Sequence, residues 1–397
     1  MSNFSAKDSA LGYLYQARYA LYEIIKQNKA EDAKISIEGL DDFDLKEEGY
    51  LTLSQLKHHL KTPANLQNSS PDLWKTIRIW IENYQEDKIE LSNTTFYLIT
   101  TGKILSDSIA HYLLDGNSRD VIKAIDLLDT TCKTSENKAL KKSFEAYKSL
   151  DLTEKRILFE NVIVRGEAKN IEELGTLIKR ILEYSVDPLH TESAFKRLEG
   201  WWNSKVVEIL LSGEIKYIQR IDVLEKIRSI SKQFAVDNLP IDYLGAKPPT
   251  HEVIKFQNEI FVEQLRSISV GADRIRNCIY DYYRAYSQRN DWILEDLLAD
   301  NDLELYEGKL IQEWDRLVVI LKDTGLNDTP TEQDLVNFGK KVLQWVELNA
   351  DFKIRDKVED LGYVMRGSFH MLANEDKPRV YWHPEFLERL VDSKVEI

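Results

Sequence analysis

Cysteine is almost missing: Cys132 and Cys278 are the only two in 397 residues. They are too few and too far apart for a disulfide framework or a zinc cluster. Long apolar runs are missing too, the longest aliphatic stretch being Leu317 to Leu321, far short of a membrane span. Basic residues are outnumbered, Lys+Arg 53 against Asp+Glu 67, for a formal net charge of −14. That excludes a basic coat that holds DNA at equilibrium but leaves room for a local basic groove. Met1 is followed by Ser2, Asn3 and Ser5, with neither a basic n-region nor an apolar h-region, so no signal peptide is predicted. The expectation is a soluble protein of a reducing cytoplasm with no membrane contact.

What is present suffices for folding. Hydrophobic residues make up 43% and charged residues 30%, enough for a core and too apolar for disorder. At roughly 150 residues per domain the length predicts two domains, or three. Leu11, Leu14, Leu21, Ile24 and Ile25 recur at helical spacing, which predicts a helix from about Ser9 to Gln27. Ile35, Ile37, Leu40 and Phe43 read as a strand, and Leu51 to Leu56 as its hairpin partner across the turn Glu47-Glu48-Gly49. Ser70-Pro71 opens a helix carrying Trp74, Ile77, Trp80 and Ile81, with Ser70 as N-cap. Thr95 to Thr100 is a buried strand, and Leu158 to Val164 a further one before a helix near Ile171 to Tyr184. The first hundred residues thus have an α/β order and most of the rest is helical, including Arg274 to Asp300 and Leu303 to Leu321. Pro240, Gly245, Pro248 and Pro249 mark a linker or long loop. The predicted division is 1–225 and 226–397.

The chemistry-bearing constellation is Glu38-Gly-Leu-Asp41-Asp42-Phe-Asp44 followed by Gln55-Leu-Lys57. Strand side chains alternate, so Gln55 and Lys57 share a face, and antiparallel pairing brings that face beside Asp42. A carboxylate, an amide carbonyl and an ammonium then converge. Hard oxygen ligands suit Mg²⁺, which keeps several waters and takes one or two protein ligands. The lysine would orient or deprotonate the attacking water, or stabilise charge on a phosphorane-like transition state. The plain alternative is a solvated acidic turn beside a strand lysine that faces water.

With Gly12-Tyr-Leu-Tyr15-Gln16 in the first helix, Glu38-x-x-Asp41-Asp42 and Gln55-x-Lys57 resemble the PD-(D/E)xK nuclease superfamily. More closely, they resemble the double-stranded-DNA nuclease domain of bacterial antiphage effectors. The resemblance covers roughly the first hundred residues and fades through the next hundred. It implies a restriction-endonuclease-like α/β domain. In it Asp42 (or its neighbour Asp41) is the metal-binding aspartate, Gln55 stands for the (D/E), and Lys57 is the catalytic lysine. Glu38 is then an auxiliary acid and Gln16 a buttress from the helix. The implied cofactor is Mg²⁺ or Mn²⁺, held by Asp42 and Gln55. Because Gln55 lacks a charge, metal binding is expected to tighten when DNA phosphate joins. Lys57-His58-His59-x-Lys61 either touches phosphates as DNA enters or is a solvated strand end.

Beyond the linker, Arg284-Ala-x-x-Gln288-Arg289-x-x-Trp292, Tyr306, Trp314, Gly367-x-x-His370-x-Leu372-Ala373 and Trp382-His383-Pro384-x-Phe386 form a second signature. It resembles the C-terminal domain of effector subunits in Lamassu-type ABC three-component defence systems. The resemblance implies docking on an SMC-like ABC ATPase and a small middle subunit, with homo-oligomerisation on activation. No cyclic-nucleotide sensor domain is recognisable. Read from the residues alone, Trp292, Trp314, Trp345 and Trp382 are core, and His370 and His383 are structural rather than a zinc pair. Tyr280, Tyr282, Tyr283 and Tyr286 cannot all face one core, which leaves part of the cluster for a partner surface. The acidic stretch Asp291 to Glu307 is expected to be a solvated face.

The two resemblances together imply a metal-dependent DNA endonuclease, restrained by SMC-like partners and released on sensing foreign DNA. The competing reading is a scaffold or DNA-binding subunit whose catalytic site has decayed. RNA as substrate is open on the residues, since this chemistry ignores a 2′-hydroxyl.

Overall fold

A computed structural model of the protein describes residues 6–27, 32–57, 66–299 and 301–389. The chain divides into two compact units, 1–230 and 231–397, a boundary five residues beyond the expected one. His58, His59 and Lys61 lie outside the described residues.

The first unit is built on one six-stranded sheet in the order β5-β4-β3-β2-β1-β6. Its strands are β1 (Lys34–Ile37), β2 (Phe43–Glu47), β3 (Tyr50–Lys57), β4 (Thr94–Thr100), β5 (Val162–Arg165) and β6 (Ile218–Gln219). β1, β2 and β3 form an antiparallel meander, while β4 and β5 run parallel to β3. β6 returns to pair antiparallel with β1 at the far edge. Helix α1 (Ala6–Lys26) and the helices Ile171–Leu182 and Thr191–Ser212 pack together against the β1–β2 side. Tyr19 stacks on Phe43, and the Trp202 indole donates to the Ala17 carbonyl at 2.7 Å. Helix α2 (Pro71–Gln85) buries Trp74, Ile77, Trp80 and Ile81 in a separate cluster with Leu53, Phe96 and Leu98 of the sheet.

Several expectations change. The strand read from Ile35 to Phe43 is two strands, and residues 38–42 form a loop between them that is closed by Glu38 N–H donating to Asp42 O at 3.1 Å. Asp42 therefore precedes a strand rather than lying on one. The α1 stripe runs through Tyr15, Tyr19, Leu21 and Ile24, and Leu14 faces solvent. The Tyr15 hydroxyl, donating to the Lys169 carbonyl, helps set that rotation. Ser70 makes no side-chain cap, although Pro71 does occupy the first turn. Leu158 belongs to the helix Leu152–Glu160, capped by Asp151 and Glu154, and only Val162–Arg165 is strand.

The second unit is helical. Helix Ala272–Leu294 crosses Tyr363–Ala373 so closely that a Cβ on Gly367 would overlap the Asp281 carbonyl and the Ala285 methyl. Trp292, Trp314 and Trp382 are buried, with Trp345 packed against the same core. The tyrosine cluster is mostly absorbed, Tyr282 stacking between Phe261 and Tyr286. The acidic stretch is not wholly solvated. Glu307 is ion-paired with the buried Arg289, and Asp291 accepts the Tyr243 hydroxyl at 2.8 Å. A carboxylate opposite a buried guanidinium satisfies a charge that would otherwise be costly.

Candidate active site

β3 is the strand at which the sheet changes from antiparallel to parallel. Its carboxyl end carries Gln55 and Lys57 and lies beside the carboxyl end of β4, the place where crevices open in sheets of this kind. The register Phe43↔Ser54 puts the 38–42 loop next to that end. The outcome is a cleft of about 440 Å³ lined by Gln16, Glu38, Asp42, Gln55 and Lys57 together. All five residues expected at the site are thus gathered in one place, across a span of only forty-odd positions.

The two neighbouring aspartates are not equivalent. Asp41 is turned inward, its Oδ2 accepting the Trp80 indole N–H at 2.6 Å and its Oδ1 the Asp42 N–H at 3.0 Å. Asp42 faces the cleft. Its Oδ2 accepts the Leu56 N–H at 2.6 Å, and the side chains of Gln55 and Gln16 hydrogen-bond to it, with Lys57 acting through its charge. Asp44 serves the backbone, accepting Leu40 N–H at 2.8 Å and Asp41 N–H at 3.0 Å. Asn83 of α2 donates to the Leu40 carbonyl. The loop is thereby held from below by Asp44 and from the side by Trp80 and Asn83.

Crowding these carboxylates out of water raises their proton affinity. Burial pushes Asp41 up to about 7 and Asp44 up to about 6. Burial also raises Asp42, opposed by the Leu56 N–H, the Lys57 charge and the two glutamine amides. Glu38, in the left-handed region at φ 53, is raised by burial and by Asp42 and Asp44, with Lys75 acting against them.

Among the described residues no group of three or more His, Cys, Asp or Glu is arranged to hold a metal. The donor set at the cleft is instead one carboxylate with amide oxygens. With Gln16 donating to Asp42, its Oε1 is buried and has no hydrogen-bond partner, the kind of orphaned acceptor that a cation or its water would satisfy. Asp42, Gln55 and Gln16 fit a hard divalent cation that keeps most of its waters. Sequence reasoning missed Lys75 and Ile79, which line the same cleft from α2. Their only signal was their spacing, one helical step to the side of the buried tryptophan stripe.

In the second unit His370 is buried between the Phe261 and Trp382 rings, and burial pushes it down to about 3. It is a neutral core residue. His383 accepts the Glu385 N–H through Nδ1 at 3.2 Å.

No curated protein sequence matches the chain. Among solved structures, the Acinetobacter baumannii Cap4 SAVED/CARF-domain containing receptor aligns in its complexes with two cyclic trinucleotides. With 2′3′3′-cAAA the identity is 14%, covering 70% of this chain and 66% of that one, at TM-score 0.33. With 3′3′3′-cAAA it is 12%, covering 70% and 69%, at TM-score 0.35. The chain spans about two thirds of the length of those receptors, and at such TM-scores the likeness assigns neither fold nor function. Residues 261–390, which are 130 of the 397, match the family model of C-terminal domain 7 of the ABC-three component (ABC-3C) systems, and this match supports a component of such a defence system.

Proposed function

We propose that the first unit is a Mg²⁺- or Mn²⁺-dependent DNA endonuclease of the PD-(D/E)xK, restriction-endonuclease-like class. The second unit would tie it to the SMC-like ATPase and small middle subunit of its system. The observation that carries this reading is the convergence of Asp42, Gln55, Lys57, Glu38 and Gln16 on one cleft at the carboxyl end of β3. Asp42 and Gln55 would hold the cation, which when bound neutralises phosphate charge and sharpens the nucleophile. Lys57 would hold the attacking water and stabilise the pentavalent phosphorus by its charge. Asp42 keeps that ammonium and the Gln55 amide in register, and Glu38 completes the acidic wall.

The acidic balance of the whole chain, −14, fits an enzyme with weak free affinity for DNA. Activity would follow release by the partners and self-association on sensing phage or plasmid DNA, which concentrates active sites. The test is plasmid cleavage in Mg²⁺ by the purified chain and by the assembled complex, with Lys57→Ala beside each and an RNA substrate in parallel. Loss of cleavage in Lys57→Ala, with unchanged circular dichroism and complex formation, is the expected result. Cleavage by Lys57→Ala at the wild-type rate would remove the assignment. Gln55, an amide where the resemblance expects an acid, together with the net charge of −14, favours a second reading, a decayed binding module. That reading predicts no cleavage by chain or complex and no metal-dependent DNA binding in calorimetry.

A further inference from the structure

The cleft holds a second cation that the nuclease reading does not use. α2 buries Trp74, Ile77, Trp80 and Ile81, which turns the adjoining stripe, Lys75 and Ile79, toward the cleft. Lys75 is exposed. Arg78, three residues on, is tied to Glu82 at 3.0 Å, whereas no ion pair engages Lys75 among the described residues.

Charge arithmetic gives that ammonium a task. Glu38 and Asp42 face the cleft against Lys57 and Lys75, Asp41 being turned inward on Trp80. Without Lys75 the count is two carboxylates to one ammonium, on a chain already at −14, and a polyanion would approach only against repulsion. Lys57 is committed to Asp42 and the reacting phosphate. A solvent-reachable ammonium on a rigid helix at the rim, near enough for Glu38 to feel its charge but held in no ion pair among the described residues, can hold a neighbouring phosphate as a point charge.

We propose that Lys75 is a phosphate-binding residue of this site. It grips the strand one or more phosphates away from the bond that Lys57 attacks, so that the substrate is held through two cations. The inference rests on the nuclease reading, and its test separates the two.

The full chain and its Lys75→Ala, Lys75→Arg and Lys57→Ala variants are titrated with fluorescent duplex DNA in Ca²⁺ over a series of salt concentrations. Each is then assayed for cleavage in Mg²⁺, in complex with its partners where the free chain is silent. Lys75→Ala should weaken binding and raise KM about tenfold, the size of one charge-assisted contact, with kcat falling far less. Its plot of log K against log salt should flatten by about 0.9, one phosphate contact. Lys75→Arg should restore both. Lys57→Ala should do the opposite, losing kcat while still binding DNA. An unchanged salt slope and unchanged affinity in Lys75→Ala would overturn the proposal even if the enzyme is a nuclease. A flattened slope in a protein that never cleaves would keep Lys75 as a phosphate contact and sink the nuclease reading instead.

Discussion

Between β1 and β2 the chain has five residues in which to turn and still aim the Asp42 carboxylate at Gln55. Gly39 makes this feasible, because a Cβ there would overlap Asp44 Oδ2, the oxygen that accepts Leu40 N–H. Gly39→Ala should therefore push Asp44 out of its seat. The expected cost is about 1–3 kcal/mol, typical of overpacking, seen as a lower urea midpoint. The aspartate pair gives a sharper test at this scale. Asp42→Asn should weaken Mn²⁺ binding at least tenfold in calorimetry with DNA present. Asp41→Asn should leave metal affinity near wild type, because that side chain faces Trp80 and the Asp42 amide. Equal losses in both variants would mean that both aspartates reach the metal. The sequence named both candidates and could not choose between them, since spacing is blind to an indole arriving from a helix thirty-nine positions away.

At the scale of elements, α2 is what fixes the loop, and its N-terminal Pro71 and apolar stripe were legible from periodicity alone. The polar work of that stripe was not, because a helical tryptophan pattern reads as core whether or not an indole N–H meets a carboxylate. Trp80→Phe keeps the packing on Phe96 but leaves Asp41 Oδ2 without its donor in a buried site. A buried acceptor left unsatisfied costs about 1–3 kcal/mol, so this variant should lose more stability than a matched Ile77→Val. β6 was invisible to local reading for a different reason. Two residues, Ile218 and Gln219, carry no period, and their partner β1 lies about 180 positions earlier. In the second unit Gly367→Ala should be as damaging as a core deletion, since the crossing with Ala272–Leu294 leaves no room for a methyl. Equilibrium denaturation of that unit's transition would report it.

At the scale of the whole molecule, the pH dependence of stability has a clean sign in the second unit. Burial, with Arg366 adding to it, holds His370 at about 3, whereas in an unfolded chain a histidine titrates near 6.5. Between those values the unfolded state binds one more proton than the native state. Stability is therefore complete above about pH 6.5 and falls as pH drops, by up to about 1.4 kcal/mol per pH unit. His383 is lowered by burial in the same sense and adds to the slope. Glu307 enters later. Burial would raise it, but Arg289 and Arg379 outweigh burial and hold it below the usual range, so its contribution is lost only as pH falls below about 4.5. His370→Leu removes the His370 proton and no hydrogen bond at Nδ1, which has no partner. Chemical denaturation between about pH 7 and about pH 5, followed by circular dichroism, should show a slope reduced by about one proton. The same slope in variant and wild type would mean that His370 is already hydrated in the native fold, and that the second unit is looser around its Trp382 core than this packing implies.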